Sequence, residues 1–258
     1  MSLKFIILLS AVATCAFASE CKVAPRFWCD SFSMAKKCGV LSACANRLFP
    51  MASDAPVQVD VYFESLCPDS IRFITTMLYP TWEKLESTGI MNVKIVPFGK
   101  AFYVKQDDGS YKFSCQHGKK ECYGNSIENC LIKYSDNNPH SYLPIVQCME
   151  SASDPVAAAN KCITDGGYSW DTINTCALGP EGNDLLHTAG VETKALEPKL
   201  NWVPWIVING VHSDEIQSAA TNDLLSLICE TYQGEKPSEC TPSTVSVADQ
   251  KVMYSPEA

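Results

Sequence analysis

The chain has 258 residues, 46% of them hydrophobic, enough for one large domain or a medium domain with a small module attached. A formal charge of −9 and a pI near 4.9 exclude general nucleic-acid binding through a basic surface. The charge is uneven: residues 21–50 carry Lys22, Arg26, Lys36, Lys37 and Arg47 against Asp30 alone, so a boundary is expected near residue 50, in the linker-like "LFPMASDAP".

The first residues, "MSLKFIILLSAVATCAFAS", hold one Lys, an apolar run from Phe5 to Ala13, and then Ala16-Phe17-Ala18. This is the pattern of a secretory signal peptide over residues 1–18, cut after Ala18. The run is too short to cross a bilayer and no later stretch reaches ~18 apolar residues, so no membrane span is expected. Residues 19–50 form a small cysteine-rich segment. From Val57 to Phe63, "VQVDVYF" alternates apolar and polar residues and reads as a strand. Pro68 and Asp69 then open a helical pattern in which Ile71, Ile74, Leu78, Trp82 and Leu85 share one face. Pro80 lies inside that pattern and predicts a kink or a break.

"MNVKIVPFG" is a second strand. Residues from about 100 to 200 read as mostly helical, with segments at 121–135, 141–152, 154–164 and 169–196. "WIVING", directly behind Pro204, is a third strand, "GVHSD" a turn, and "EIQSAATNDLLSLICETY" a final amphipathic helix. Residues 235–258 are a polar tail. It ends "YSPEA", without a KDEL-type signal, and the chain contains no Asn-x-Ser/Thr sequon. Strand–helix–strand, a helical insert, and then Pro–strand–turn–helix is the order of an α/β, thioredoxin-like fold with an insertion, expected over residues 56–234.

Fourteen cysteines become thirteen once Cys15 leaves with the signal peptide. An exported chain pairs its cysteines, so an odd count leaves one thiol to explain. Four lie in the basic segment (Cys21, Cys29, Cys38, Cys44) and eight follow residue 110 (Cys115, Cys122, Cys130, Cys148, Cys162, Cys176, Cys229, Cys240). Both sets are even, and Cys67 is left over. Proximity suggests Cys229–Cys240 as one pair. A zinc site built from the Cys115–Cys130 cluster with His117 is the alternative, against which stands a spacing that fits no common zinc pattern.

Cys67 stands where a strand ends and a helix begins. A thiol is a nucleophile only as thiolate, and helix N-termini favour thiolates through free N–H groups and the dipole. Pro68 suits a first-turn position because it lacks an N–H that would otherwise be orphaned. Pro204, just ahead of a strand, is a candidate for a cis bond in a functional turn.

The stretch "CQHGKKECYGNSIENC", with Cys115, Gln116, His117, Gly118, Glu121, Cys122, Asn125 and Cys130 in place, resembles the signature of the gamma-interferon-inducible lysosomal thiol reductase family. "YFESLCP", "PTW" and "VPWIVINGVH" are also similar to that family, so the resemblance covers roughly residues 57–240. It implies a thioredoxin-like fold, reduction of disulfides in endocytosed or lysosomal proteins, and a cis Pro204 beside the active cysteine. "CKVAPRFWCDSFSMAKKCGVLSAC" resembles a saposin A-type module, too small for a core of its own and therefore held by two internal disulfides. The alternative is a disulfide-rich propeptide with no separate role.

One departure matters. The family's reductases have Cys-x-x-Cys, whereas this chain has Cys67-Pro68-Asp69-Ser70. Ser70 cannot attack a mixed disulfide to release product, although its hydroxyl could donate a hydrogen bond to the Cys67 thiolate. The catalytic residues expected are Cys67, Ser70 and Pro204. No metal or organic cofactor is expected; an external small thiol such as cysteine or glutathione would be the reductant, and disulfide-containing proteins the substrates. The competing reading is a binding protein that keeps the docking surface near Pro204 without useful turnover. His117 either shapes the disulfide-bonded loop or shuttles protons. Without a sequon, lysosomal delivery by a glycan tag is excluded, which leaves secretion or another endolysosomal route.

Overall fold

The computed structural model describes residues 21, 23–48 and 54–241. The signal peptide and the last part of the polar tail lie outside the described residues. Strand β1 (Val57–Phe63) is the centre of a three-stranded sheet ordered β2-β1-β5. It runs parallel to β2 (Met91–Pro97), with Val57 opposite Met91 and Phe63 opposite Pro97. It runs antiparallel to β5 (Trp205–Ile208), with Val59 opposite Ile208 and Tyr62 opposite Trp205. A parallel pair needs a crossover, supplied here by the helix that follows β1. β1 is covered on both faces. Val57, Val59, Val61 and Phe63 enter the main core, while Tyr62 joins Val96, Phe98, Leu186, Ala189, Trp205 and Val207 in a smaller one.

The crossover starts as α3 (Pro68–Phe73), widens into one π-helical turn at Ile74–Leu78, and continues as α4 (Tyr79–Leu85). Ile74, Leu78, Trp82 and Leu85 are buried, as the apolar spacing predicts, while Ile71, expected on the same face, is only partly buried. Pro80 does not break the helix. The Tyr79 N–H reaches back to the Ile74 carbonyl, and this wide turn accommodates a ring that offers no N–H of its own.

Between β2 and β5 the chain is helical, as expected, except at its start. Residues 102–114 form a hairpin, β3 (Phe102–Lys105) against β4 (Tyr111–Ser114), rather than a helix. Its turn holds Gly109 at φ +88°, a conformation open to glycine. The helices are α5 (Lys119–Tyr134), α6 (Pro139–Glu150), α7 (Pro155–Asp165), α8 (Trp170–Leu178) and α9 (Pro180–Ala195). The single segment expected over 169–196 is thus two helices, divided at Gly179 ahead of the helix-opening Pro180. After β5, α10 (Asp214–Thr231) starts from a Ser213 cap and bends at Asp223, whose carboxylate accepts from Ser226 N–H at 2.9 Å.

Strand–helix–strand, helical insert, then strand–helix is the thioredoxin-like order, and the strand directions agree with it. Six disulfides use both even cysteine sets: Cys21–Cys38, Cys29–Cys44, Cys115–Cys122, Cys130–Cys176, Cys148–Cys162 and Cys229–Cys240. The zinc alternative for the Cys115–Cys130 cluster fails because all three of its cysteines are in disulfides. In the N-terminal segment, α1 (Phe32–Lys37) and α2 (Leu41–Leu48) place Phe32, Ala35, Leu41 and Ala45 in the main core, against α10. Burying Phe32 and Leu41 there contributes about 1.5–3 kcal/mol each, an apolar burial this short segment could not supply alone.

Candidate active site

Cys67 is the one cysteine outside a disulfide among the described residues, and it is half-buried. It is the N-cap of α3 and keeps extended backbone, φ −75° and ψ 121°, while its carbonyl accepts from Ile71 N–H at 2.9 Å. Pro68 occupies the first helical position. The Cys67 Sγ lies 4.0 Å from the carbonyl oxygen of Val203, and the Val203–Pro204 peptide is cis. Gln217 of α10 holds that turn from behind: its Nε2 donates to Pro204 O at 2.9 Å and its Oε1 accepts from Ile206 N–H at 3.0 Å. The structure therefore brings Cys67 and Pro204 together.

Ser70 lies elsewhere than expected. It is fully buried, and its Oγ accepts from Glu64 N–H at 3.5 Å. Among the described residues no hydrogen bond joins it to Cys67; its Oγ is engaged by the backbone of Glu64 in the loop that precedes the helix. Beside the cysteine, the helix residues Asp69, Arg72, Phe73, Thr76 and Met77 face Trp202, Val203 and Pro204 across a groove of about 300 Å³, floored by Gln217 and Thr221. Trp202 is 39% exposed, an apolar side chain presented at the groove.

The loop from Glu64 to Cys67 is anchored by α5. Ser65 N–H donates to Asn125 Oδ1 at 2.9 Å and Ser65 Oγ donates to Glu121 O at 3.2 Å. Gly124 permits this approach, since a Cβ there would stand 2.5 Å from Ser65 Oγ. Glu64 is fully buried, its Oε1 accepts from Lys100 N–H at 2.7 Å, and burial raises its carboxyl above the usual range. His117 N–H donates to Glu121 Oε1 at 3.0 Å, and His117 Nδ1 is hydrogen-bonded to Glu121 Oε2. The Cys115–Cys122 bridge closes the turn that carries His117. His117 thus shapes the loop. Glu64, Gln217 and Trp202 were not singled out from the sequence. The signal for Glu64 was a lone acid in an apolar strand end three residues before the cysteine.

His212 stacks on Trp205 at 3.5 Å between ring centres and bonds through Nδ1 to Ile206 O at 2.7 Å, and its burial disfavours the charged form. His187 stacks on Tyr111, away from Cys67. With one free thiol among the described residues, maleimide labelling of the native mature protein is expected at Cys67 alone. Peptide mapping that finds a second labelled position, or an unlabelled Cys67, contradicts that expectation.

A thiol capping a helix beside a cis-proline turn, on a thioredoxin-like sheet, is an arrangement suited to thiol–disulfide exchange. Residues 58–166 match the family model described as gamma interferon inducible lysosomal thiol reductase. The chain is 43% identical over 242 residues to the gamma-interferon-inducible lysosomal thiol reductase of Carassius auratus, covering 92% of this chain and 91% of that one. It is 34% identical to the protein of the same name from Mus musculus, covering 89% and 91%. The chain belongs to the gamma-interferon-inducible lysosomal thiol reductase family. Among solved structures, the crystal structure of Chlamydia trachomatis DsbA aligns at a TM-score of 0.47 and 14% identity, over 65% of this chain and 86% of that one.

Proposed function

We propose that this protein reduces or rearranges disulfides in protein substrates through Cys67 alone, with an external small thiol completing the cycle. The observation that carries this reading is the free Cys67 at the start of α3, with its Sγ 4.0 Å from Val203 O and the groove along α3 and Trp202 beside it. The Cys67 thiolate attacks one sulfur of a substrate disulfide. A Cys67–substrate bond forms, the substrate bond breaks, and the second substrate sulfur leaves as a thiolate. A thiolate of cysteine or glutathione then attacks Cys67 Sγ and frees the first substrate sulfur. A second small thiol releases Cys67 and leaves as the small-molecule disulfide. Two small thiols are oxidised for each substrate disulfide reduced. The substrate thiol freed in the first step can instead attack the mixed disulfide, which rearranges bonds without net reduction.

The six disulfides favour an oxidising lumen in the secretory or endolysosomal route, in keeping with the signal peptide expected at residues 1–18. No helix among the described residues is long and apolar enough to cross a membrane. We read residues 19–50 as a saposin A-type piece docked on α10, and residues 56–234 as the catalytic domain. The second reading, a binding protein that keeps the groove but does not turn over, is favoured by one feature: buried Ser70 stands where a resolving thiol would be.

An insulin-reduction assay of the mature protein at pH 4.5 and pH 7 separates the two. Turnover that requires both Cys67 and added cysteine or glutathione is expected. Rates equal to those of Cys67→Ala, with small thiol present, would leave the binding protein as the function.

A further inference from the structure

The loop ahead of Cys67 and the first turn of α5 enclose three groups that thiol exchange does not use. Glu64 and Glu121 are both fully buried, and one ligand atom from each lies within 4.8 Å of the other and of a ring nitrogen of His117. Each carboxylate has its Oε1 fixed by a backbone N–H, Glu64 by Lys100 at 2.7 Å and Glu121 by His117 at 3.0 Å. Both Oε2 atoms are left facing the imidazole. Glu64 Oε2 has no hydrogen-bond partner and stands 3.7 Å from His117 Nδ1. Among the described residues, His117 is the only ion-pair partner of either carboxylate. Two buried carboxyl groups sharing one imidazole leave Glu64 Oε2 without a polar partner, which costs desolvation free energy.

The spacing has a chemical meaning. Neighbouring ligands of a tetrahedral zinc ion, with bonds of about 2.0–2.1 Å, stand about 3.4 Å apart, close to the 3.7 Å between Glu64 Oε2 and His117 Nδ1. Backbone donors on the non-ligating oxygens are the outer-shell support that orients carboxylate ligands. The His117 side chain is 39% exposed, which gives an ion a path in from solvent. One imidazole nitrogen and two carboxylate oxygens suit zinc or a similar divalent first-row cation, with a fourth position for water.

We propose that Glu64, His117 and Glu121 bind one divalent cation of the zinc type. The ion takes the place of the hydrogen bond between His117 Nδ1 and Glu121 Oε2, and those two ligands part to about 3.4 Å as it enters. Bound there, it ties the loop ending in Cys67 to the first turn of α5. The site does not depend on whether Cys67 turns over.

The test uses the mature protein carrying Cys67→Ser, so that no free thiol competes for metal. Zinc titrated against a chromophoric chelator at pH 7 should bind at one equivalent per chain. His117→Ala, made in the same background, should weaken binding at least tenfold, as should Glu121→Gln. The His117 side chain is partly exposed, so its variant decides the matter if a buried carboxylate variant does not fold, with native structure checked by circular dichroism. Zinc should also raise the melting temperature of Cys67→Ser, and that rise should vanish with His117→Ala. Folded Cys67→Ser protein that binds no stoichiometric zinc overturns the proposal, as do binding and thermal shift unchanged by His117→Ala. A wild type that binds zinc but reduces nothing would refute the thiol reading and leave this one standing.

Discussion

Ser70→Cys is expected to raise disulfide-reducing turnover about tenfold or more when external thiol is limiting. Positions three apart at a helix start have Cβ atoms about 5–6 Å apart, within reach of a disulfide after small adjustment. Ser70 is already fully buried in the first turn of α3, one turn beyond the Cys67 cap. The introduced thiol would attack the Cys67–substrate bond from within the molecule. A bimolecular step becomes unimolecular and gains effective concentration. Insulin reduction at low glutathione measures this, with the oxidised variant scored for an internal disulfide. If the new thiol is reduced and accessible and the rate does not change, the site around Cys67 is not built for turnover.

The second large effect is on stability, and acid favours the fold. Glu128 on α5 and Glu150 on α6 are 0% and 1% exposed, and none of their four carboxyl oxygens meets another hydrogen-bonding group. Burial holds both well above the usual carboxyl range, and the charge of Glu128 raises Glu150 further, so Glu150 keeps the proton and donates it to Glu128. Carboxyls raised in the folded state stabilise it fully below their unfolded value near 4.5, and that contribution is lost as pH climbs toward the folded values. Each extra proton held by the folded state makes stability fall by about 1.4 kcal/mol per pH unit, so one alone accounts for about 3 kcal/mol between pH 5 and pH 7. Half-buried Asp60 and buried Glu64 are raised as well and act in the same direction. His212, whose charged form is disfavoured by burial, opposes them at the acid end. Urea unfolding at pH 5 and pH 7 checks the sign. The midpoint should be higher at pH 5, and Glu150→Gln, which keeps a donor facing Glu128, should flatten the difference. Equal midpoints in the wild type would contradict the shared proton.

Much of this site was legible because its parts are local. Alternation over Val57–Phe63, the apolar face from Ile74 to Leu85 and the start at Pro68 put Cys67 at a strand-to-helix junction from sequence alone. The arithmetic of even cysteine sets isolated the same residue. The β3–β4 hairpin was hidden because its strands are four residues long and half-exposed, so neither presents a sustained period, although Asp107-Asp108-Gly109 is a turn signal. Pro80 marked an irregularity in this helix, but nothing in the pattern says that it takes the form of a single π turn ahead of the proline. The contact between Glu64 and His117 joins residues 53 positions apart in sequence, and no periodicity reports a pairing of that kind. Ser70 was singled out because it stands where the resembled family has its second cysteine, with a hydroxyl able to donate to Cys67. Its burial beneath Glu64 depends on how the preceding loop packs on α5.

Acid-quenched mass spectrometry tests most directly whether Cys67 attacks and nothing in the chain resolves the adduct. The reduced mature protein is exposed to a disulfide-bonded protein such as insulin, quenched with acid, and mapped. The account predicts a covalent adduct through Cys67 in the wild type. It should persist without small thiol, shorten in life as cysteine or glutathione is added, and be absent from Cys67→Ala. Wild type that forms no adduct with Cys67 reduced, or that gives the same reductant-sensitive partners as Cys67→Ala, would contradict it.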